Sequence, residues 1–347
     1  MKLLQRLLSH DLPRSRILAI VLLALFVLLA FAPFVIPGVK ALNVAAKILI
    51  FIVLVASFDL LLGYTGIVSF AHTMFFGIGA YGVAMASTAW GATWPSLLLG
   101  VALALVLSFV LALVIGLFSL RVRAIFFAMM TLAVASAFAT LASQLSDWTG
   151  GEDGLSFKVP MEDRVQSYYV LFAVALALFL ALLRIVNSPF GRVLLAIREN
   201  EFRAEAIGYR VVVYRSISSI LSALFACLAG AMLALWLRYN GPDTSLSFEV
   251  MMDVLLIVVI GGMGTMYGAV IGAAIFLVAQ SYLQDLLRIA SEASLAAFPS
   301  VPLLSQLLSP DRWLLWLGLL FVLSVYYFPT GIVGRLRQSQ SASSHRS

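Results

Sequence analysis

The sequence is short of charge. Only 11% of its 347 residues are Asp, Glu, Lys or Arg, against 63% hydrophobic. A soluble domain of that length cannot cover its surface with so little charge, so the solvent for most of the chain is lipid. Cysteine is scarcer still: Cys227 stands alone in an apolar run. That excludes an internal disulfide, no Cys/His spacing suits zinc, and the thiol is expected to pack as a small apolar group. No Gly-Lys dipeptide occurs, which excludes a phosphate-cradling G-x-x-x-x-G-K-[ST] loop. H-E-x-x-H and C-x-x-C are also missing, as is a G-x-S-x-G with a plausible triad. The net charge of +6 comes from arginines spread over short loops. It reads as a membrane-orientation signal and not as a nucleic-acid one.

Apolar runs recur along almost the whole length, each of about 20 residues and so long enough to cross a hydrocarbon core. No ten-residue alternating strands of the β-barrel kind occur. The expected fold is all-α and polytopic, with about ten transmembrane segments, some broken or re-entrant. The spans read as 17–36, 42–62, 66–88, 96–119, 124–145, 166–186, 216–237, 250–261, 265–284 and 312–329. The eighth is too short to cross alone and is paired with the glycine turn after it. No cleavable signal peptide is evident, and the first run reads as a retained helix.

Basic residues fall before the first span, between the fourth and fifth, around the sixth and seventh, and after the last. With an even number of spans these share one side, which the positive-inside rule makes cytoplasmic, together with the N- and C-termini. The opposite loop, 146–165, carries Asp147, Glu152, Asp153, Glu162 and Asp163. Loop 285–311 is expected on that outer side, lying along the surface. The expected organisation is a cytoplasmic segment 1–16, a transmembrane domain 17–332 with a cytoplasmic loop at 187–215, and a polar, disordered tail at 333–347. His10 and His345 lie in the two ends and take no role.

Two apolar segments interrupt themselves with glycine. The first is GYTGIVSFAHTMFFGIGAYG over 63–82, and the second is GGMGTMYGAVIG over 261–272. Paired glycine-broken segments in the two halves of a membrane protein point to a transport path. Broken backbone at membrane depth belongs at a cavity or inside protein, away from lipid. Gly63, Tyr64, Gly66, His72, Phe75, Gly77, Gly79, Tyr81, Gly262 and Gly264 are therefore candidates for lining or gating a path. Close packing alone explains the same residues, and His72 fits equally a neutral ring bonded inside the bundle. Gly264, Gly268 and Gly272 form a G-x-x-x-G-x-x-x-G ridge suited to tight helix contact.

Ionisable residues within spans are functional candidates by default, because charge in lipid is costly. Lys47 lies near a span end and can snorkel. Asp59, close to Gly63, can cap broken backbone, and Asp253 can bond neighbouring amides. They form no chain of carboxylates of the kind a proton-driven pump needs.

Residues 187–215 form the most informative polar stretch. Ser188 and Pro189 suit a helix start, and Gly208 suits a stop. Leu195, Phe202 and Ala206 share a face, with Glu199 and Arg203 as an i,i+4 pair on its edge. The expected element is one short amphipathic helix. It either lies on headgroups or docks a soluble partner, and its glutamates favour docking.

Five blocks in order, GYTGIVSFAHTMFFGIGAY, LRVRAIFFAMMTLA, WTGGEDGL, SPFGRVLLAIRENEFRAEAIGY and GGMGTMYGAVIGA, carry a resemblance from about residue 42 to 283. Together they resemble the membrane permease of bacterial branched-chain amino acid ABC importers. The resemblance implies an inner-membrane subunit that is not an enzyme and binds no cofactor, with Mg-ATP held on partner ATPases. Its implied partners are a sister permease in a heterodimer, two cytoplasmic ATPase subunits, a periplasmic solute-binding protein and the bilayer, with no nucleic acid. It also implies that Arg198, Glu199, Asn200, Glu201, Arg203, Glu205 and Gly208 lie in the loop that docks the ATPase. Only Glu205-Ala206-Ile207-Gly208 is left of the Glu-Ala-Ala-x-x-x-Gly pattern of other importers. A urea or short-amide permease and a stand-alone secondary transporter are the alternative readings.

Overall fold

The computed structural model describes residues 16–35, 38–119, 124–161, 163–297, 309–328 and 330–335. The expected N-terminal segment and most of the C-terminal tail lie outside them, as do Arg121, Arg123 and Glu162. The long helices, in chain order, are α1 (Arg16–Ala30), α2 (Val39–Thr65), α3 (His72–Trp90), α4 (Trp94–Ser119), α5 (Ala124–Gln144) and α6 (Arg164–Val186). There follow the short α7 (Pro189–Glu199) and α8 (Glu201–Ala206), then α9 (Val211–Leu237), α10 (Phe248–Gly261), α11 (Met266–Ala297) and α12 (Trp313–Tyr327).

The chain is an all-α polytopic membrane protein. Among the described residues, eight helical stretches are long and apolar enough to cross a bilayer: Val39–Thr65, Trp94–Leu117, Phe126–Gln144, Arg164–Val186, Val211–Leu237, Pro242–Gly261, Met266–Glu292 and Pro310–Arg335. Two of the ten expected spans fall outside that set for physical reasons. The first, expected over 17–36, is a 15-residue helix followed by a separate helical turn at Ala32–Val35. The third, expected over 66–88, starts at His72. It carries Gly, Ser, Thr and His because it is almost wholly enclosed by protein. A helix with protein neighbours has no need of a lipid-compatible surface. The short eighth span is completed by the helical turn Pro242–Ser245 before it, giving 20 residues. The outer loop expected from 285 is helix instead: α11 runs unbroken for 32 residues. A helix that leaves the apolar layer need not end there, and its Asp285 pairs with Lys40 of α2.

Helix α2 is the axis of the molecule, with 94% of its apolar window buried. It packs against α9, α11 and α6, while α3 packs against α9 and α4. Two ends can be told apart by contacts. The loop end gathers Gly63, loop 187–211, the turn 262–265 and residues 330–335. The ribbon end holds β1 (Leu155–Ser156) paired antiparallel with β2 (Tyr239–Asn240). Arg238, just before β2, is in the left-handed region (φ 57°) and donates from Nη2 to the Met161 carbonyl at 2.6 Å.

Candidate functional site

The break in the first glycine segment is confined to residues 66–71. Helix α2 ends in a left-handed Gly66 (φ 74°), with Gly66 N–H bonded to the Leu62 carbonyl at 3.1 Å and Ile67 N–H to that of Leu61 at 3.4 Å. The chain then turns back into the bundle before α3 begins. His72, the first residue of α3, is bonded to Ser222, which also bonds Ser57, and Ser57 lies two turns inside the end of α2, ~12 Å by helix rise. The irregular backbone therefore sits at membrane depth and takes its partners from protein. Phe70 N–H donates to Thr131 Oγ1 of α5 at 3.0 Å, while the Thr131 hydroxyl donates to Ala128. This is the condition under which non-helical backbone survives in a membrane.

His72 is brought into the bundle interior. Ser222 Oγ donates to the Ser57 carbonyl, so its oxygen accepts from His72 Nε2–H at 2.9 Å. The ring lies edge-on to Phe58 at 4.9 Å, and Nδ1 has no partner among the described residues. Phe75 is also buried. Gly77, Gly79 and Gly82 lie within the continuous helix α3, so the expected break does not extend to them. A Cβ at Gly79 would fall on the Cys227 carbonyl of α9, and one at Gly230 of α9 on the Phe76 carbonyl. Here two backbones touch because neither carries a side chain. A Cβ at Gly77 would meet the Leu246 side chain first. Tyr81 faces elsewhere, lining an apolar cavity of about 700 Å³ between α3, α4 and α5.

The two glycine breaks meet at the loop end. Asp59 Oδ1, one turn before Gly63, accepts the Gly264 N–H at 2.8 Å. Gly264 (φ 76°) and Gly262 (φ 114°) are both in the left-handed half of backbone space. A Cβ at Gly63 would strike both the Asp59 carboxylate and the Gly264 nitrogen. Arg198, from α7, donates through Nη1 to the Gly63 carbonyl. One buried carboxylate and one guanidinium thus tie the end of α2, the α10–α11 turn and loop 187–211 into a single knot. Tyr64 is buried beside it. Gly264 belongs to this turn and not to the expected ridge, which Gly261, Gly268 and Gly272 supply: Cβ atoms at Gly268 and Gly272 would press on Gly261.

The loop itself departs from a single helix. Asn200 is extended (φ −158°, ψ 101°), and its side chain accepts Arg203 N–H at 3.0 Å, capping a new helix, α8. The break separates Glu199 from Arg203, so the expected i,i+4 pair does not form. Glu201 instead makes a bidentate pair with Arg215 at 2.7 and 2.9 Å. Ser188 occupies the N-cap position, but its hydroxyl donates backward to Ile185 at 2.6 Å. The inward face is Leu194, Ile197 and Ala204, whereas Phe202 (84% exposed) and Ile207 (71%) point away. Glu199, Arg203, Glu205 and Gly208 are exposed around them. Sequence reasoning had no signal for Arg198 reaching the Gly63 carbonyl, nor for Thr131 and Ser222; the last two show only as isolated hydroxyls in apolar spans.

Among known proteins, the family described as "Branched-chain amino acid transport system / permease component" matches residues 40–325. The high-affinity branched-chain amino acid transport system permease protein LivM of Escherichia coli K12 is 28% identical over 296 residues. The match covers 76% of this chain and 68% of that protein. Its Salmonella typhimurium counterpart is 26% identical over the same length and shares. A probable LivM of Methanocaldococcus jannaschii is 26% identical over 246 residues, covering 68% of each chain. No solved structure matches the chain. With residues 40–325 inside the family match and a bundle of apolar helices, the chain belongs to the branched-chain amino acid transport system permease family, as its multi-pass membrane permease component rather than its ATPase.

Proposed function

We propose that this chain is one of two permeases forming the translocation path of an ATP-driven importer for branched-chain amino acids in the bacterial inner membrane. A periplasmic binding protein delivers the solute, and two cytoplasmic ATPases drive the cycle. The loop end faces the cytoplasm, with both termini, and the ribbon end faces out. Loop 187–215 docks an ATPase through Phe202 and Ile207 and the mixed charges of Glu199, Arg203 and Glu205, an apolar centre with a charged rim. The domain limits 17–332 and 333–347 go with this reading.

The observation that carries it is the knot. ATPase closure would displace α7, and Arg198 would transmit that displacement to the Gly63 carbonyl and, through Asp59, to the Gly264 turn. Gly63, Tyr64, Gly66, Gly262 and Gly264 act as the inner gate, because glycine backbone at these points can change conformation without moving a side chain. Gly79 and His72 hold α3 on α9 behind the gate, with Phe75 buried on the same helix and Gly77 facing Leu246. The family match favours this over a stand-alone secondary transporter.

The test is Arg198→Ala in the reconstituted complex. Assembly should be normal, while solute-stimulated ATP hydrolysis and uptake fall together by about tenfold or more, the scale of one charge-assisted hydrogen bond. Arg198→Lys should recover part of the loss. Full uptake per assembled Arg198→Ala complex would refute the coupling role.

A further inference from the structure

The apolar cavity of about 700 Å³ that Tyr81 lines has a cause in the sequence. Helices α3 and α4 are drawn together by small residues: a Cβ at Gly82 would fall on Ala104 and on the Gly100 carbonyl. Gly82, Ala86, Gly100 and Ala104 give the cavity a floor with no side chain long enough to fill it. Helix α5 supplies the far wall, and only 22% of its apolar window is buried. It is fixed toward one end by Thr131, which takes Phe70 N–H, and the chain beyond its other end enters the β1–β2 ribbon. Tyr81, Ala142 and Leu246 pack together and close one side. On the other side Leu103 and Leu107 of α4, and Leu141 and Leu145 at the end of α5, are exposed, so the mouth opens between α4 and α5.

The cavity runs inward from the ribbon end. Its deepest residues are Ile78, ~18 Å from Trp90 along α3, and Leu107, ~20 Å from Trp94 along α4, both by helix rise. That matches one leaflet, roughly 15 Å of hydrocarbon with its interface. The rim carries Trp90 and Trp148, both exposed, as aromatic residues at a membrane interface are. Beside them stands Asp147, the one ionisable residue of the lining, with no ion pair among the described residues. The Thr88 and Thr149 hydroxyls already donate to backbone carbonyls. A zwitterionic solute would need both its charges answered, and the lining answers one. A phospholipid needs apolar surface at depth and polar surface at the rim. We propose that the cavity is a phospholipid site of the leaflet at the ribbon end. One acyl chain lies between α4 and α5 against α3, and Asp147 takes the ammonium of an ethanolamine headgroup. The bound chain braces α5, and α5 holds the broken backbone at Phe70 through Thr131.

The experiment uses the complete importer in vesicles of phosphatidylethanolamine and phosphatidylglycerol, with a trace of either lipid carrying a diazirine at the end of one acyl chain. After illumination, peptide mass spectrometry locates the label. The ethanolamine probe should mark Ile78, Leu107 and Phe138 about fivefold or more above Val322 and Leu323, which are exposed on α12 away from the cavity. Leu103→Trp, which narrows the mouth, should bring cavity label down to the α12 level. Asp147→Asn, at an exposed position that folding does not need, should reduce the preference for the ethanolamine over the glycerol probe by about two- to fivefold, the scale of one exposed ion pair. Equal label on α12 and in the cavity would mean unselective lipid, and loss of cavity label on adding leucine would assign the cavity to the solute. Either overturns the proposal, as does a cavity marked by neither probe or an unchanged preference in Asp147→Asn. The labelling needs no transport, so its failure is distinct from failure of the importer reading.

Discussion

The α3–α9 crossing and the knot at the loop end are both made by glycine in apolar surroundings, and they use it in opposite ways. At the crossing, Gly79 and Gly230 remove side chains so that two helix backbones touch, each with its hydrogen bonds satisfied within its own helix. The Gly79–Gly230 contact is made by backbone alone. At the knot, Gly63 and Gly264 also bring backbones together, but a carbonyl and an amide there are held by Arg198 and Asp59. Side-chain bonds of that kind can be exchanged, whereas backbone packing can only be lost. The crossing is a fixed hinge plate and the knot is the part able to switch.

The largest effect should come from breaking the crossing. Gly79→Leu drives a side chain into a backbone carbonyl that cannot rotate away, at a cost above the roughly 1–3 kcal/mol typical of overpacking. Nearly all assembled protein should be lost from the membrane, measured by size exclusion in mild detergent. Gly77→Ala, whose nearest neighbour is the movable Leu246 side chain, should retain most of it. Equal yields from the two would mean that the Gly79 backbone contact is no less forgiving than the Gly77 side-chain contact.

A smaller effect is expected at the knot. Asp59→Leu leaves the Gly264 amide buried without an acceptor, about 1–3 kcal/mol. The chain should assemble with a lowered thermal midpoint and transport less per complex. Asp59→Asn keeps an oxygen for the same amide and should lie close to the unaltered protein. If Asp59→Leu lost assembly as completely as Gly79→Leu, the knot would be a second rigid contact.

The smallest effect sharpens the boundary of the knot. Glu201→Gln removes the charge from a partly exposed pair with Arg215, worth no more than ~1 kcal/mol. The thermal midpoint should barely move, and uptake should hold because Arg198 and Gly63 are untouched. A loss of uptake here as large as that of Arg198→Ala would shift the transmission route from α7 to α8.

The sequence by itself determined the membrane class, most spans and the polar loop, because lipid selects composition residue by residue and apolar length can be counted. It also singled out Asp59, Lys47 and Asp253, since ionisable residues in apolar runs stand out whatever their neighbours. The break at Asn200 was open to reading, as Asn is a favoured N-cap, but the face formed by Leu195, Phe202 and Ala206 obscured it. What only the tertiary structure decided was the use of each feature. Gly79 and Gly63 are alike in sequence; one meets a backbone about 150 residues away and the other a guanidinium 135 residues away. Arg198 finds Gly63 for the same reason. Its partner is a carbonyl freed by a helix end, and which carbonyl lies within reach is fixed only when α2, α7 and α11 pack together.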